Sequence, residues 1–203
     1  KRRLWTPLAA FALAGVGLVL ARGYAASHAQ NGLAPSAHLA RLPDSPSALA
    51  WLGPIHPRSP AVVLSLDCPA CLDLLDSLTK TSYKNQNAGP ALFFKTNDAN
   101  RLLTECFLAA VLSQGDLSRR DALLATATTL LSHREIALND PGTAAARLAS
   151  LFPAAAEKKN DAEKIVEAQA RALTAAKTGD ATPLLVTRAG EARGFFKTAD
   201  LFP

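Results

Sequence analysis

Cys68 and Cys71, in the run Cys68-Pro69-Ala70-Cys71, are the residues of this chain whose type and spacing point most directly to chemistry. They follow a short apolar run, Ala61 to Leu66. They open a segment in which Cys71, Leu74, Leu75 and Leu78 fall on one helical face. A strand that ends where a helix begins puts Cys68 at the helix N-terminus. Unpaired backbone N–H groups and the helix dipole there favour a thiolate over a thiol. The thiolate is the form that attacks a disulfide. Cys71, one turn further in, is placed to displace the resulting mixed disulfide. The spacing therefore suggests redox chemistry, with Cys68 attacking and Cys71 resolving. A static disulfide and a metal clip are the other readings of such a pair. A tetrahedral zinc site wants four ligands, and the sequence offers no second CxxC and no nearby paired His. Leu72, not His, follows Cys71, which removes c-type haem attachment. Neither a metal nor a cofactor is expected.

A second feature lies far downstream. Asp180-Ala181-Thr182-Pro183 leads into Leu184-Leu185-Val186-Thr187, then Arg188-Ala189-Gly190-Glu191 and the apolar stretch Gly194-Phe195-Phe196. This pattern predicts a hairpin entered through a proline. Together with the CxxC, it resembles the thioredoxin superfamily, in which a Thr-Pro or Val-Pro pair with a cis bond precedes a strand and lies beside the cysteines. X-Pro is the one bond where cis is accessible at small cost. The chain looks most similar to the periplasmic disulfide-bond (Dsb-type) oxidoreductases, over roughly Ala61 to Phe196. The resemblance implies an α/β fold: a thioredoxin-like central sheet with a helical insertion, about 100–178, between the second core strand and the cis-Pro strand. It implies that Thr182 and Pro183 shape a substrate groove, joined by Pro69 and Ala70 between the cysteines, and that this intervening pair tunes redox poise. Ala70 offers no charge or donor to a thiolate, so an intermediate poise is expected. Asp67 departs from the Trp that thioredoxins often carry before the first cysteine. A carboxylate there raises the Cys68 pKa by repulsion if it faces the sulfur, or does nothing if it faces solvent; the second is expected.

The elements that must position these residues follow the hydrophobic pattern. Ala61–Leu66 is apolar enough to be a central strand buried on both faces. A helix over 71–80, a polar loop from Thr81 to Pro90 and a second strand over Ala91–Lys95 complete a β-α-β opening. Helices then take over. Asn100 is placed to cap one carrying Leu103, Cys106, Phe107, Ala110 and Val111 and ending at Gly115. Asp116 or Ser118 starts a second, with Ala122, Leu123, Leu130 and Leu131 toward the core. A third runs from Thr143 to Phe152. Asn160 caps a longer one that ends near Ala176, with Ala162, Ile165, Val166 and Leu173 on its apolar side and Gly179 as its stop. Cys106 lies on an apolar stripe, which predicts an inert core cysteine. His28, His38, His56 and His133 are scattered, and none pairs with a nucleophile in the pattern.

The N-terminus sets the compartment. Lys1-Arg2-Arg3 precedes an uncharged run from Leu4 to Ala21, with small residues at Ser27-His28-Ala29. Residues 1–29 are thus a signal peptide cleaved after Ala29 or an N-terminal membrane anchor over 4–21, and both place the body in the periplasm. Residues 30–60 carry six prolines and predict a linker or tether with one short strand near Ala48–Leu52; residues 61–203 form the domain. The net charge is +5, but Lys1, Arg2, Arg3 and Arg22 supply four of those charges. The remaining body is nearly neutral, so nucleic acid is not an expected partner.

These features predict an exported thiol–disulfide oxidoreductase that forms, reduces or rearranges disulfides in cysteine-containing envelope proteins. It would be reset by a membrane or periplasmic redox partner. Isomerising relatives usually dimerise through a separate N-terminal domain; only about thirty residues of linker precede the first strand here, which favours oxidase or reductase chemistry. A non-enzymatic thioredoxin-like component of an envelope secretion or conjugation complex is the alternative, since fold does not fix function. A copper-binding protein is a third reading, because two thiolates can hold Cu(I). The absence of Met, a frequent soft ligand, counts against it.

Overall fold

The structure is a computed structural model, and it describes residues 35–50, 59–80, 89–194, 196 and 201. The candidate signal or anchor at 1–29 lies outside the described residues. Among those described, no helix is long and apolar enough to cross a membrane.

The chain is mixed α/β. A short helix α1 (Ala37–Ala40) and a 3-10 turn (Leu42–Asp44) precede β1 (Leu49–Ala50). Then come β2 (Ala61–Leu64), α2 (Pro69–Lys80) and β3 (Ala91–Phe94). The helical block contains α3 (Arg101–Ser113), α4 (Arg119–Leu131), α5 (Arg134–Asn139), α6 (Pro141–Leu151), a 3-10 turn (Pro153–Lys158) and α7 (Lys159–Ala176). The hairpin strands β4 (Leu184–Val186) and β5 (Ala192–Arg193) close the fold. The sheet has the order β1-β3-β2-β4-β5. β2 and β3 are parallel, with Val62 opposite Leu92, while β1 pairs antiparallel with β3 and β4 antiparallel with β2.

Strand alternation sorts the core onto two faces. Val62, Leu64, Leu92, Phe94 and Leu185 face α2 and the helical block. Ala61, Val63, Ala91, Phe93, Leu184 and Val186 face Leu39, Leu42, Leu173 and Ala176. Every residue of β2 and β3 is buried, as the unbroken apolar runs predict for central strands. The helix α7 wraps the β3 edge of the sheet. Its Ala162 and Val166 join the first face and its Leu173 and Ala176 the second. Between them sits Gln169, fully buried. β1 pairs with β3 only at Leu92 and Ala91, and Gln169 continues the ladder where it stops. Its Oε1 accepts from the Phe94 N–H at 2.9 Å, and its Nε2 donates to the Leu92 and Ser47 carbonyls.

Several sequence expectations are corrected here. The first strand ends at Leu64 rather than Leu66, because the chain turns out of the sheet at Ser65 to reach Cys68. The predicted tether is in part structure: Leu39 and Leu42 are buried, and the Ser36 N–H donates to the Gly190 carbonyl. Gly190 has a φ of 79°, and a Cβ there would collide with the Ser36 backbone, so this turn of the hairpin needs glycine. Asn160 does not cap α7, because the 3-10 turn runs directly into the helix and takes that place. The left-handed residue that ends α7 is Lys177 (φ 55°), two residues before the predicted Gly179 stop. The six-residue helix α5 is too short to show a helical stripe in sequence. The second hairpin strand lies at Ala192–Arg193, just before the apolar stretch that suggested it.

Gln169→Ala should lower stability by about 1–3 kcal/mol, because it leaves the buried Phe94 N–H without its partner. Chemical denaturation of the two proteins checks this. A loss no larger than that of an exposed alanine substitution would show that the sheet edge does not depend on Gln169.

Candidate active site

The turn Ser65-Leu66-Asp67 carries the chain from β2 into α2, and Cys68 falls at the N-cap position. Its carbonyl accepts the Leu72 N–H at 3.0 Å, and Pro69 occupies the first helical position, where a missing N–H costs nothing. An N-cap side chain normally offers an oxygen to the first-turn N–H groups. Here sulfur takes that role: the Cys71 N–H donates to Cys68 Sγ at 3.4 Å. The geometry places Cys68 half-exposed, Pro69 and Ala70 exposed, and Cys71 fully buried. The two cysteines come within 3.0 Å of each other and are not bonded as a disulfide.

The two thiols have opposite acidities. Cys68 is pulled down to about 6, first by the hydrogen bond from the Cys71 thiol and further by the Cys71 N–H and the Thr182 side chain, against the opposing effect of burial. Cys71 is pushed far above the ordinary thiol range, first because its S–H donates a hydrogen bond to the Cys68 thiolate and second by burial. The Ser65 N–H, which donates to Cys71 Sγ at 3.3 Å, works in the other direction. One proton is thus shared between the sulfurs, with the anion on the exposed one.

The hairpin brings Thr182-Pro183 to the same place across 114 residues of sequence. The Thr182 carbonyl lies 3.5 Å from Cys68 Sγ, where it accepts from the Cys68 thiol when that group is protonated. The Thr182–Pro183 bond is cis, as the resemblance stated from the sequence implies. The loop before it is tied to the end of β3 by Lys95, which donates to the Gly179 carbonyl and pairs with Asp180 at 2.5 Å. Cys68, Cys71, Pro69, Ala70, Thr182 and Pro183 therefore lie at one end of the sheet.

Asp67 corrects the sequence reading. It does not simply face solvent. Its carboxylate accepts from Ser65 Oγ, from Asn100 Nδ2 at 2.7 Å and from Asn97 Nδ2 at 3.2 Å. Partial burial works against its charge, but those hydrogen bonds outweigh it and hold the carboxyl below its ordinary range. Repulsion from Asp67 is not among the largest influences on Cys68. Asn100 is corrected with it. Its side chain caps nothing; the Asn97 Oδ1 accepts the Ala99 and Asn100 N–H groups at the head of α3, which frees the Asn100 amide for Asp67.

Sequence reasoning missed four contributors: Ser65, Lys95, Asn97 and Arg134. Arg134 opens α5 and crosses to α2, where it pairs with Asp73 at 2.6 Å and donates to the Pro69 carbonyl. No local pattern marks these residues, since each takes part in a tie to a segment distant in sequence. Cys106 packs against the main core as expected, but half-buried rather than enclosed. It borders a cavity of about 250 Å³ between α3, α6 and the start of α7. Burial, then the neighbouring Glu105 charge, pushes its thiol pKa up. Among the described residues, no group of three or more His, Cys, Asp or Glu could hold a metal.

In a Cys106→Ala background, the alkylation rate of Cys68 should follow a thiolate with a midpoint near pH 6. Cys71→Ala should move that midpoint up, because it removes the largest stabilising hydrogen bond. A midpoint near the ordinary thiol value of 9.0 in the parent would overturn the assignment of nucleophile. The sign for stability follows from linkage. The unfolded chain binds the extra proton between pH 6 and 9, so the reduced protein should gain stability as pH rises through that window, and lose it as pH falls through 6. Comparison of the chain with protein-family models, with curated proteins and with solved structures found no match, so function is read from the geometry of this site.

Proposed function

We propose that this chain is an exported thiol–disulfide oxidoreductase of thioredoxin-like build, acting on cysteine-containing envelope proteins through a mixed disulfide at Cys68. The observation that carries the reading is the asymmetry of the two thiols: an acidic sulfur at the surface, and a protonated one directly behind it. A static disulfide needs no such asymmetry, and an exchange catalyst does. The β-α-β unit, the helical block between β3 and β4, and a hairpin entered through Thr182-Pro183 beside Cys68 support the thioredoxin-like reading. The basic, then apolar, N-terminal sequence supports export.

The chemistry runs in two displacements. Cys68 thiolate attacks one sulfur of a substrate disulfide; the substrate S–S bond breaks, and the departing sulfur leaves as a thiolate that takes up a proton. Cys71 then loses its proton and attacks the Cys68 sulfur. The mixed disulfide breaks, the second substrate sulfur leaves, and Cys68–Cys71 is oxidised as the substrate is reduced by two electrons. The reverse sequence oxidises a substrate dithiol. A membrane or periplasmic redox partner resets the pair in either direction. Pro69, Ala70, Thr182 and Pro183 line the approach to Cys68. Pro183 has no N–H of its own, so neighbouring backbone groups are left to pair with an extended substrate segment.

The full chain should accelerate exchange between a dithiol and a model protein disulfide. Cys68→Ala should abolish turnover while circular dichroism stays native. Cys106→Ala should retain turnover and cost on the order of 1 kcal/mol in stability. A wild-type rate no higher than that of a cysteine-free variant would overturn the enzymatic reading, and loss of turnover in Cys106→Ala would replace the two-cysteine mechanism with a relay of three.

A further inference from the structure

We propose that Asn100 and Asp67 are positioning residues for the resolving step, holding the Ser65 backbone N–H against the Cys71 sulfur. The proposal rests on the thiol-exchange reading above and assigns roles to residues that touch neither substrate nor the attacking sulfur.

Ser65 is the first residue past β2. The Lys95 N–H still donates to the Leu64 carbonyl at 2.7 Å, but beyond that point the chain leaves the sheet. The Ser65 N–H therefore enters no strand ladder and points to Cys71 Sγ at 3.3 Å. Its direction is set by the polar cluster around it. Ser65 Oγ donates to the Asp67 carboxylate and accepts from Asn100 Nδ2 at 2.7 Å. The second hydrogen of that amide goes to Asp67 Oδ1 at 2.7 Å, and Asn100 Oδ1 accepts the Asn97 N–H at 2.9 Å. Asn100 is fully buried and uses both ends of its amide, so it has one orientation. It stands at the head of α3 and fixes residues 65–67, immediately before Cys68, from a segment more than thirty residues away.

The N–H matters most in the second displacement. At rest Cys71 keeps its proton and donates it in a hydrogen bond to the Cys68 thiolate. Once Cys68 is tied up in a mixed disulfide, that sulfur carries no charge and no longer holds the proton in place. Cys71 must then become a thiolate in a fully buried position, where an unpaired charge is costly. The donors that remain beside it are the Ser65 N–H and the Thr182 side chain. A preorganised backbone N–H aimed at a developing anion stabilises it without reorganisation at the moment of reaction. The Cys71 proton passes to water, the Cys68–substrate bond breaks, and the substrate sulfur leaves as a thiolate. If the cluster is loosened, the turn over 65–67 is free to rotate and the N–H loses its aim.

The test separates the two displacements. The Cys106→Ala protein, with two thiols remaining, is mixed with a chromogenic aromatic disulfide in a stopped-flow instrument. Attack by Cys68 releases one coloured thiolate, and resolution by Cys71 releases a second. Asn100→Ala and Asp67→Ala should each lower the ratio of the second rate to the first by about tenfold, the scale set by one hydrogen bond to an ionised group. Asp67→Asn keeps an oxygen for Ser65 and Asn100 and should restore the ratio. The Asp67 pair keeps the experiment decisive should Asn100→Ala not fold. An unchanged ratio in the alanine variants overturns the proposal. So does an equal loss in Asp67→Asn and Asp67→Ala, since charge rather than held geometry would then be responsible. Absence of both phases in the Cys106→Ala parent identifies a failure of the exchange reading itself, on which this proposal depends.

Discussion

The site depends on Cys68 serving as the N-cap of α2. A cap must stand outside the helix, offer its carbonyl to the first intrahelical bond and turn its side chain back to the first-turn N–H groups. Meeting those demands with sulfur in place of oxygen leaves the thiolate partly exposed and directs the Cys71 N–H at it. The same turn of helix buries Cys71 beneath it. Helix geometry therefore makes one sulfur exposed and the other buried before any other residue contributes.

Everything else in the neighbourhood steadies that turn from outside. β2 delivers the chain to Ser65, and the parallel pairing with β3 brings Lys95 and Asn97 to the same end of the sheet. Asn97 caps the head of α3 so that the buried Asn100 can lock Asp67 and Ser65. Lys95 fastens the loop that carries Thr182, and Arg134 of α5 clamps the first turn of α2 through Asp73 and the Pro69 carbonyl. Most of these ties join segments far apart in sequence. The helical block is thus more than a cover for one face of the sheet: α3 and α5 both reach the cysteine turn. At the opposite edge, α7 wraps β3 and substitutes the Gln169 amide for the strand that β1 is too short to provide.

Local chemistry determined much of this in the sequence alone. Two unbroken apolar runs specify strands buried on both faces, because no polar residue interrupts either side. The CxxC after the first run specifies a strand-to-helix turn with one sulfur outside and one inside. The proline-entered hairpin was legible from proline and glycine chemistry, and the apolar sides of α3 and α7 from their period. Tertiary structure decided what those local rules leave open. An asparagine before a helix can cap it or turn elsewhere, and the choice at Asn100 was made by Asp67, a carboxylate in another segment. A lysine in a C-terminal turn adopted the left-handed conformation ahead of the glycine that local preference favours. Cys106 lay on an apolar stripe, yet it is left half-exposed beside a cavity lined by Ala149 of α6 and by Ala155 and Ala156 of the 3-10 turn. Periodicity reports which face of an element is apolar. Which partner meets that face, and which polar groups are buried together as a result, is set by contacts between segments that no local pattern encodes.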